Sequence, residues 1–280
     1  MAVKIVTDST SDIPVEVAES LGITIIPLTI LFGQETFRDR VDMSTEEFYR
    51  RLVRENVLPT TTQPAPGVFA EAYEKLIGGT SDEVLTIVLS GRLSGTYTSA
   101  MNAIDMVNGN GRIEVIDSKL AAMSLGLVVV AAAKLAQQKD MTLRRLTEEV
   151  RHRLKCANII VAFDTMKYLA KGGRIGKAQG LLGSLLSVKP VLTLRDGEVA
   201  PLTRLRTMKL ASDYLYNYVA SMKKIEALAV EYATTPHEAD VLAMRLGALF
   251  PHEQILRSTV SPVLGTYMGP NVLAVSFIEA

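Results

Sequence analysis

The stretch EVLTIVLSGRLSGTYTSA, Glu83 to Ala100, decides the fold class. Glu83 to Leu89 is an apolar run of strand length, Gly91 and Gly95 punctuate a polar turn, and Thr96 opens a helical pattern that continues to Val107. A strand whose carboxyl end turns on glycines into a helix is half of a βαβ unit. The same alternation extends to both sides. Upstream, KIVTD (Lys4 to Asp8) reads as a strand ending in the polar turn DSTSDIP, after which Pro14 opens a helix with Asp12 as a candidate cap. Ile23 to Phe32 is strand-like but broken by Pro27, which makes it an edge strand or two short pieces. Ser44 and Glu47 form a capping box for a helix to Glu55, and a second helix spans Gly67 to Ile77. Downstream, Arg112 to Ile116 is a strand, followed by a long apolar helix from Leu120 to Ala136.

From about Thr142 the pattern changes. Leu143, Leu146, Val150 and Leu154 share one face of an amphipathic helix, and Asn158 to Phe163 is a strand. Val191–Leu194 and Val199–Leu202 are short strands joined through Asp196-Gly197, a hairpin signal that requires an antiparallel element. The expected fold is therefore α/β with two domains. Residues 1–157 form a largely parallel Rossmann-like sheet and residues 158–280 a mixed sheet with helices, with a ligand between or beneath them. The length of 280 residues suits two such domains.

Composition narrows the function classes. Thirty basic and thirty acidic side chains give a net charge of +0, which argues against nucleic-acid binding through bulk positive charge. The lone cysteine, Cys156, removes a disulfide framework and a multi-thiolate metal site, and the start of the chain shows no secretory signal, so a cytoplasmic location is expected. Leu120 to Ala136 is shorter than the ~20 residues of a membrane span. It reads either as a buried core helix or as a wall of an apolar cavity, and at most transient membrane contact is expected.

Several enzyme signatures fail. GGRIGK (Gly172 to Lys177) is no P-loop, since Lys171 stands at the first glycine position and Ala178 where a hydroxyl must reach Mg²⁺. In GRLSG (Gly91 to Gly95) the serine is one place late for a nucleophile elbow. His152, His237 and His252, the only histidines, sit in surface-like contexts, and no cluster has metal spacing. No catalytic residue, metal or cofactor is expected. Hydroxyls, glycines and arginines without a base suit binding an anion better than transforming one.

Three constellations remain. The hydroxyls of Pro59–Phe69 (PTTTQPAPGVF) precede a helix that Pro66 can open, and read either as an anion seat or as a plain cap. Ser94 and the amides of Gly95 and Thr96 would face the crevice at a strand's carboxyl end, where open α/β sheets bind ligands. The run from Lys167 to Pro190 joins a basic glycine turn carrying Arg174 to an apolar helix with Gly176, Gly180 and Gly183 at helical spacing. Between Lys167 and Lys209 nine Lys/Arg face two acids, a surplus of +7, which is either a solvated face or a docking surface for an acidic partner.

VTDSTSDIP, TTTQPAPGVF, SGRLSGTYTSA, VIDSKLAAMSLGL, YLAKGGRI and SPVLGTYMGP occur in this order along the whole chain. On these motifs the chain resembles the DegV family. The resemblance implies a non-enzymatic two-domain carrier that buries a long-chain fatty acid, holds its carboxylate near the domain junction and presents it to a fatty-acid kinase for phospholipid precursor supply. By position it implies that Thr61 and Ser94 bind the carboxylate, with Thr62 adjacent and Arg174 supplying the arginine of the GGRI turn. The family's GTHxGPG reads GTYMGPN here, so Tyr267 stands in place of a histidine and Asn271 in place of a glycine. A phenol donates a hydrogen bond without carrying charge. The energetics agree with such a ligand: a dozen buried methylenes contribute ~10 kcal/mol gross at ~0.8 each. The rival class is a phosphotransferase or hydrolase using the glycine turns as phosphate cradles.

Overall fold

The computed structural model describes residues 2–55, 57–108, 112–180 and 188–280. Its strands are β1 (Val3–Asp8), β2 (Ile23–Ile26), β3 (Thr29–Phe32), β4 (Glu35–Arg38), β5 (Thr60–Thr62), β6 (Glu83–Val88), β7 (Ile113–Asp117), β8 (Ala157–Phe163), β9 (Lys189–Arg195), β10 (Glu198–Leu205), β11 (Ile225–Tyr232), β12 (Leu256–Thr259) and β13 (Val272–Glu279). Its helices are α1 (Val15–Leu21), α2 (Thr45–Arg54), α3 (Pro66–Ile77), α4 (Thr96–Ile104), α5 (Ala122–Ala136), α6 (Leu143–Cys156), α7 (Lys167–Gly172), α8 (Met208–Ala220), α9 (Pro236–Leu246) and α10 (Pro262–Met268).

A parallel sheet of order β2-β1-β6-β7 carries the first half, as the alternation of apolar runs and helices demands. The second half is a six-stranded mixed sheet of order β10-β9-β8-β13-β11-β12, in which only β11 and β12 run parallel. Pro27 divides its stretch into β2, in the parallel sheet, and β3, which centres a small antiparallel sheet β4-β3-β5 that the sequence reading lacked. Both alternatives for the long apolar helix are met. Helix α5 is buried nearly all round between β1 on one side and β8, β11 and β13 on the other, and the residues at its start line the cleft described below. Gly126 permits that close packing, because a Cβ there would stand 2.3 Å from the Ser11 carbonyl. No described helix is long and apolar enough to cross a membrane.

The β9–β10 hairpin turns through Asp196 (φ 54°) and Gly197 (φ 82°), the left-handed pair that a two-residue turn requires. Its tip reaches back to the other sheet: the Ser90 hydroxyl donates to Gly197 O at 2.8 Å, and Arg92 pairs with Glu198 at 3.0 Å.

Two expectations need correction. Asp12 does not cap α1, whose first turn has no side-chain cap; it sits in the left-handed region (φ 52°), fully buried, and accepts the Ser261 N–H at 3.1 Å. Thr60 to Thr62 are not at a helix N-terminus. They form β5, paired with Leu31 to Thr29, and α3 begins four residues later at Pro66 with no side-chain cap. Of the expected apolar helix after the glycine turn, Gly183 lies outside the described residues.

Candidate functional site

Strand alternation builds one face of an apolar cleft. Ile159, Val161 and Phe163 of β8 point to the same side as Leu192 and Leu194 of β9. Opposite them, α10 presents Val263, Leu264, Tyr267 and Met268, one helical stripe. Leu28, Ala121 and Ala122 complete the apolar wall, so that the lining is drawn from both halves of the chain. The cleft holds about 850 Å³ free of protein atoms, counting the part open to solvent. The cavity proper is about 100 Å³, below the ~300–1,000 Å³ of small-molecule pockets.

Two threonines that border the cleft use their hydroxyls internally. Thr193 Oγ1 donates to Ile159 O at 2.6 Å, and Thr10 Oγ1 donates to Asp8 Oδ1 at 2.6 Å. Asp8 also accepts the Thr10 N–H at 2.9 Å and, through its second oxygen, the Leu89 N–H at 2.8 Å. Burial holds its pKa above the ordinary carboxylate value in spite of these bonds. Asp8 thus fixes the ends of β1 and β6 while lying outside the lining.

The remaining polar side chains of the lining gather at the mouth and bond mainly to one another. Thr61 Oγ1 and Tyr267 Oη are 2.6 Å apart, and Ser94 Oγ and Thr96 Oγ1 are 2.9 Å apart. The Arg174 guanidinium lies 5.0 Å from the Tyr267 ring centre, donates to Gly172 O at 2.9 Å and reaches Leu93 O at 3.5 Å. Arg174 is exposed on the rim and is the only charged side chain among the described residues of the lining. The basic turn must follow the surface because its glycines leave little apolar area to bury. Tyr267 fits because Gly172 has no Cβ, which would stand 2.4 Å from the ring. Tyr168 of α7 rests in the same way on Gly269, whose absent Cβ would be 2.4 Å from that ring. The helices α7 and α10 therefore interlock, each ring seated on the other segment's glycine.

Four of the expected residues, Thr61, Ser94, Arg174 and Tyr267, share the cleft, and the other three do not line it. Thr62 alternates to the outer face of β5 and is exposed. Thr96 is buried and bonds Ser94. Gly95 is covered by Gln63, whose Nε2 would lie 2.8 Å from a Cβ at that position. Gln63 itself lines the cleft and was missed; it stands just past the end of β5, two residues after Thr61. Asn271 lies away from the cleft, exposed, its Oδ1 accepting from Thr234 Oγ1 at 3.2 Å.

Among the described residues the lining holds no His, Cys, Asp, Glu or Lys, and so none of the usual general bases. No group of His, Cys, Asp and Glu among the described residues is arranged to hold a metal ion. What the arrangement can do is bind: apolar walls for a hydrocarbon, with three hydroxyls, an amide and a guanidinium at the opening for an anion.

Comparison with known proteins adds the following. A family model described as an uncharacterised protein of the DegV family matches residues 2–280. A DegV domain-containing protein of Caldanaerobacter subterraneus is 35% identical over 281 residues, covering 99% of both chains, and protein DegV of Bacillus subtilis is 33% identical over 278 residues, covering 98% of both. Among solved structures, a DegV family protein of Thermus thermophilus described as fatty-acid binding superposes with a TM-score of 0.90 at 30% identity over 100% of both chains. The Bacillus subtilis DegV structure, described as a fatty-acid-binding protein, gives 0.89 at 32% identity over 100% of both.

Proposed function

Since this chain belongs to the DegV family, we propose that it is a fatty-acid-binding protein that buries a long acyl chain in the cleft and holds the carboxylate at its mouth. The observation that carries this reading is the segregation of the lining: hydrocarbon walls, with Thr61, Gln63, Ser94, Arg174 and Tyr267 grouped at the mouth. Relatives described as fatty-acid binding share the fold over their whole length, which supports the same ligand class here.

Thr61, Ser94, Tyr267 and Arg174 are the proposed head-group contacts. An ionised carboxylate taken from water costs several kcal/mol unless donors replace its hydration. At this mouth the replacement comes from hydroxyl and guanidinium groups, with Gln63 as a further amide donor. Thr62, Gly95 and Thr96 contribute through the backbone and packing that place these side chains. The acyl chain supplies most of the affinity and the head group supplies orientation, so acid is preferred over ester.

For the finer role we propose presentation of the bound carboxylate to a fatty-acid kinase in the cytoplasm. The support is the exposed Lys167, Lys171, Arg174 and Lys177 on the α7 turn, a basic rim suited to an acidic partner surface. Native mass spectrometry of protein purified from cells tests the ligand: the expected result is an added mass equal to a fatty acid, recovered by lipid extraction. Protein that arrives empty and takes up no labelled acyl chain overturns the reading.

A further inference from the structure

A second polar cluster lies behind the cleft wall, and neither the cleft nor its mouth uses it. Asp12 accepts the Ser261 N–H and pairs with Arg40 at 3.6 Å. Its own carbonyl accepts the Ser258 hydroxyl. Glu231 of β11 accepts the Met123 N–H at 2.9 Å and the Ser276 hydroxyl at 3.0 Å. Arg40 donates to Thr259 O at 2.5 Å, and Tyr49 donates to Val260 O at 3.0 Å. Asp39 holds the other side: its N–H donates to Leu28 O at 2.8 Å, yet both of its carboxylate oxygens lack a partner although the residue is 1% exposed. Asp12 Oδ2, Arg40 Nε and Ser261 Oγ are likewise buried and unpartnered.

Four of the segments tied by this cluster also carry cleft-lining residues. The turn after β1 bears Thr10, the segment before β3 bears Leu28, the start of α5 bears Ala121 and Ala122, and the segment from Thr259 runs into Val263 and Leu264 of α10. Helix α10 lies close on α2, since a Cβ on Gly265 would be 2.6 Å from the Tyr49 oxygen and 2.8 Å from the Phe48 ring.

The titratable and charged groups facing one another here are Asp12, Asp39, Glu231, Tyr49 and Arg40. With all three acids ionised, three buried negative charges would share one part-buried guanidinium, and uncompensated buried charge is strongly unfavourable. Two protons restore neutrality. Burial pushes Asp39 up to about 7. It also raises Asp12 and Glu231, with Arg40 pulling Asp12 back and the Asp12 charge pushing Glu231 further up. Burial keeps the Tyr49 phenol neutral throughout.

We propose that Asp12, Asp39 and Glu231 form a proton-linked anchor for α10 that grips the cleft wall while protons are bound and loosens it when they leave. The sign follows from linkage. An acid raised in the folded state holds its proton after the unfolded chain has lost it, so folding stability falls as pH rises from the ordinary carboxylate range through about 7 for Asp39. The segments weakened by that loss include the start of α10, which lines the cleft. The ligand consequence rests on the acyl-binding reading above; the change at α10 does not.

The test has two arms. Binding of a dansylated undecanoic acid is titrated between about pH 6 and pH 8.5 for the wild type and for the double variant D39N/E231Q, which mimics the protonated acids. The expected result is a roughly fivefold or larger loss of wild-type affinity across this range, the scale of ordinary coupling energies, against a flat profile in the variant. Titration of the probe itself is common to both proteins and cancels. Equal slopes overturn the proposal. The second arm needs no variant and no ligand: hydrogen exchange of the wild type, corrected for the intrinsic pH dependence, should lose protection over 261–268 on alkalinisation while α9 does not. Uniform change in both helices overturns it. Failure of the probe to bind at any pH sinks the acyl-binding reading instead, and the exchange arm still decides this one.

Discussion

The cleft is bordered by two groups of polar side chains with opposite design. At the mouth, three hydroxyls, one amide and one exposed guanidinium stand without a carboxylate. Behind the wall, three carboxyls out of contact with water surround one guanidinium that is only partly buried. The difference teaches what each can do. Donors at an opening can exchange water for a ligand anion at small cost, whereas sealed acids can exchange only protons, and their response is felt through the segments they tie together.

The largest effect should come from breaking the sealed group. Asp12→Ala leaves Arg40 without its carboxylate and Ser261 N–H without an acceptor, and is expected to destabilise the fold by on the order of 3 kcal/mol. Urea unfolding followed by circular dichroism measures it. A loss below ~0.5 kcal/mol would mean that the cluster is as replaceable as a surface site. At the mouth, Arg174→Ala should leave folding nearly unchanged and lower affinity for a long-chain acid roughly tenfold. Calorimetry with the acid and its methyl ester separates the causes, since the ester should be indifferent, and equal losses would make Arg174 structural. Smaller still, Tyr267→Phe removes the hydroxyl that meets Thr61 and should cost about 0.5–1.5 kcal/mol of acid binding. Thr62→Ala, on the outer face of β5, should change neither binding nor stability beyond ~0.5 kcal/mol.

The same contrast explains what the amino-acid sequence could disclose. Apolar runs, glycine turns and capping signals are local, so the parallel sheet, the hairpin at Asp196-Gly197 and the Ser44 cap, which accepts the Glu47 N–H at 3.1 Å, were all legible. Thr61, Ser94, Arg174 and Tyr267 were legible as candidates because short hydroxyl-rich and glycine-rich motifs carry them. The antiparallel β4-β3-β5 sheet was not, because its strands are only three or four residues long and too short to show a period. That miss also misplaced the threonines: on a strand, alternate hydroxyls face opposite ways, so Thr61 and Thr62 could not both serve. Asp39 and Glu231 were missed for another reason. An acid in a strand or turn reads as solvated, and only the long-range approach of β1, β4, β11 and α10 removes the water.

The interlocked rings of α7 and α10 carry a consequence for how such a mouth can change over generations. A Cβ gained at Gly172 would evict Tyr267, and one gained at Gly269 would evict Tyr168, so each glycine and its aromatic neighbour must be exchanged together or not at all. Because Arg174 follows Gly172 by two residues and reaches over Tyr267, the selectivity of the opening is inherited as a block rather than tuned one position at a time.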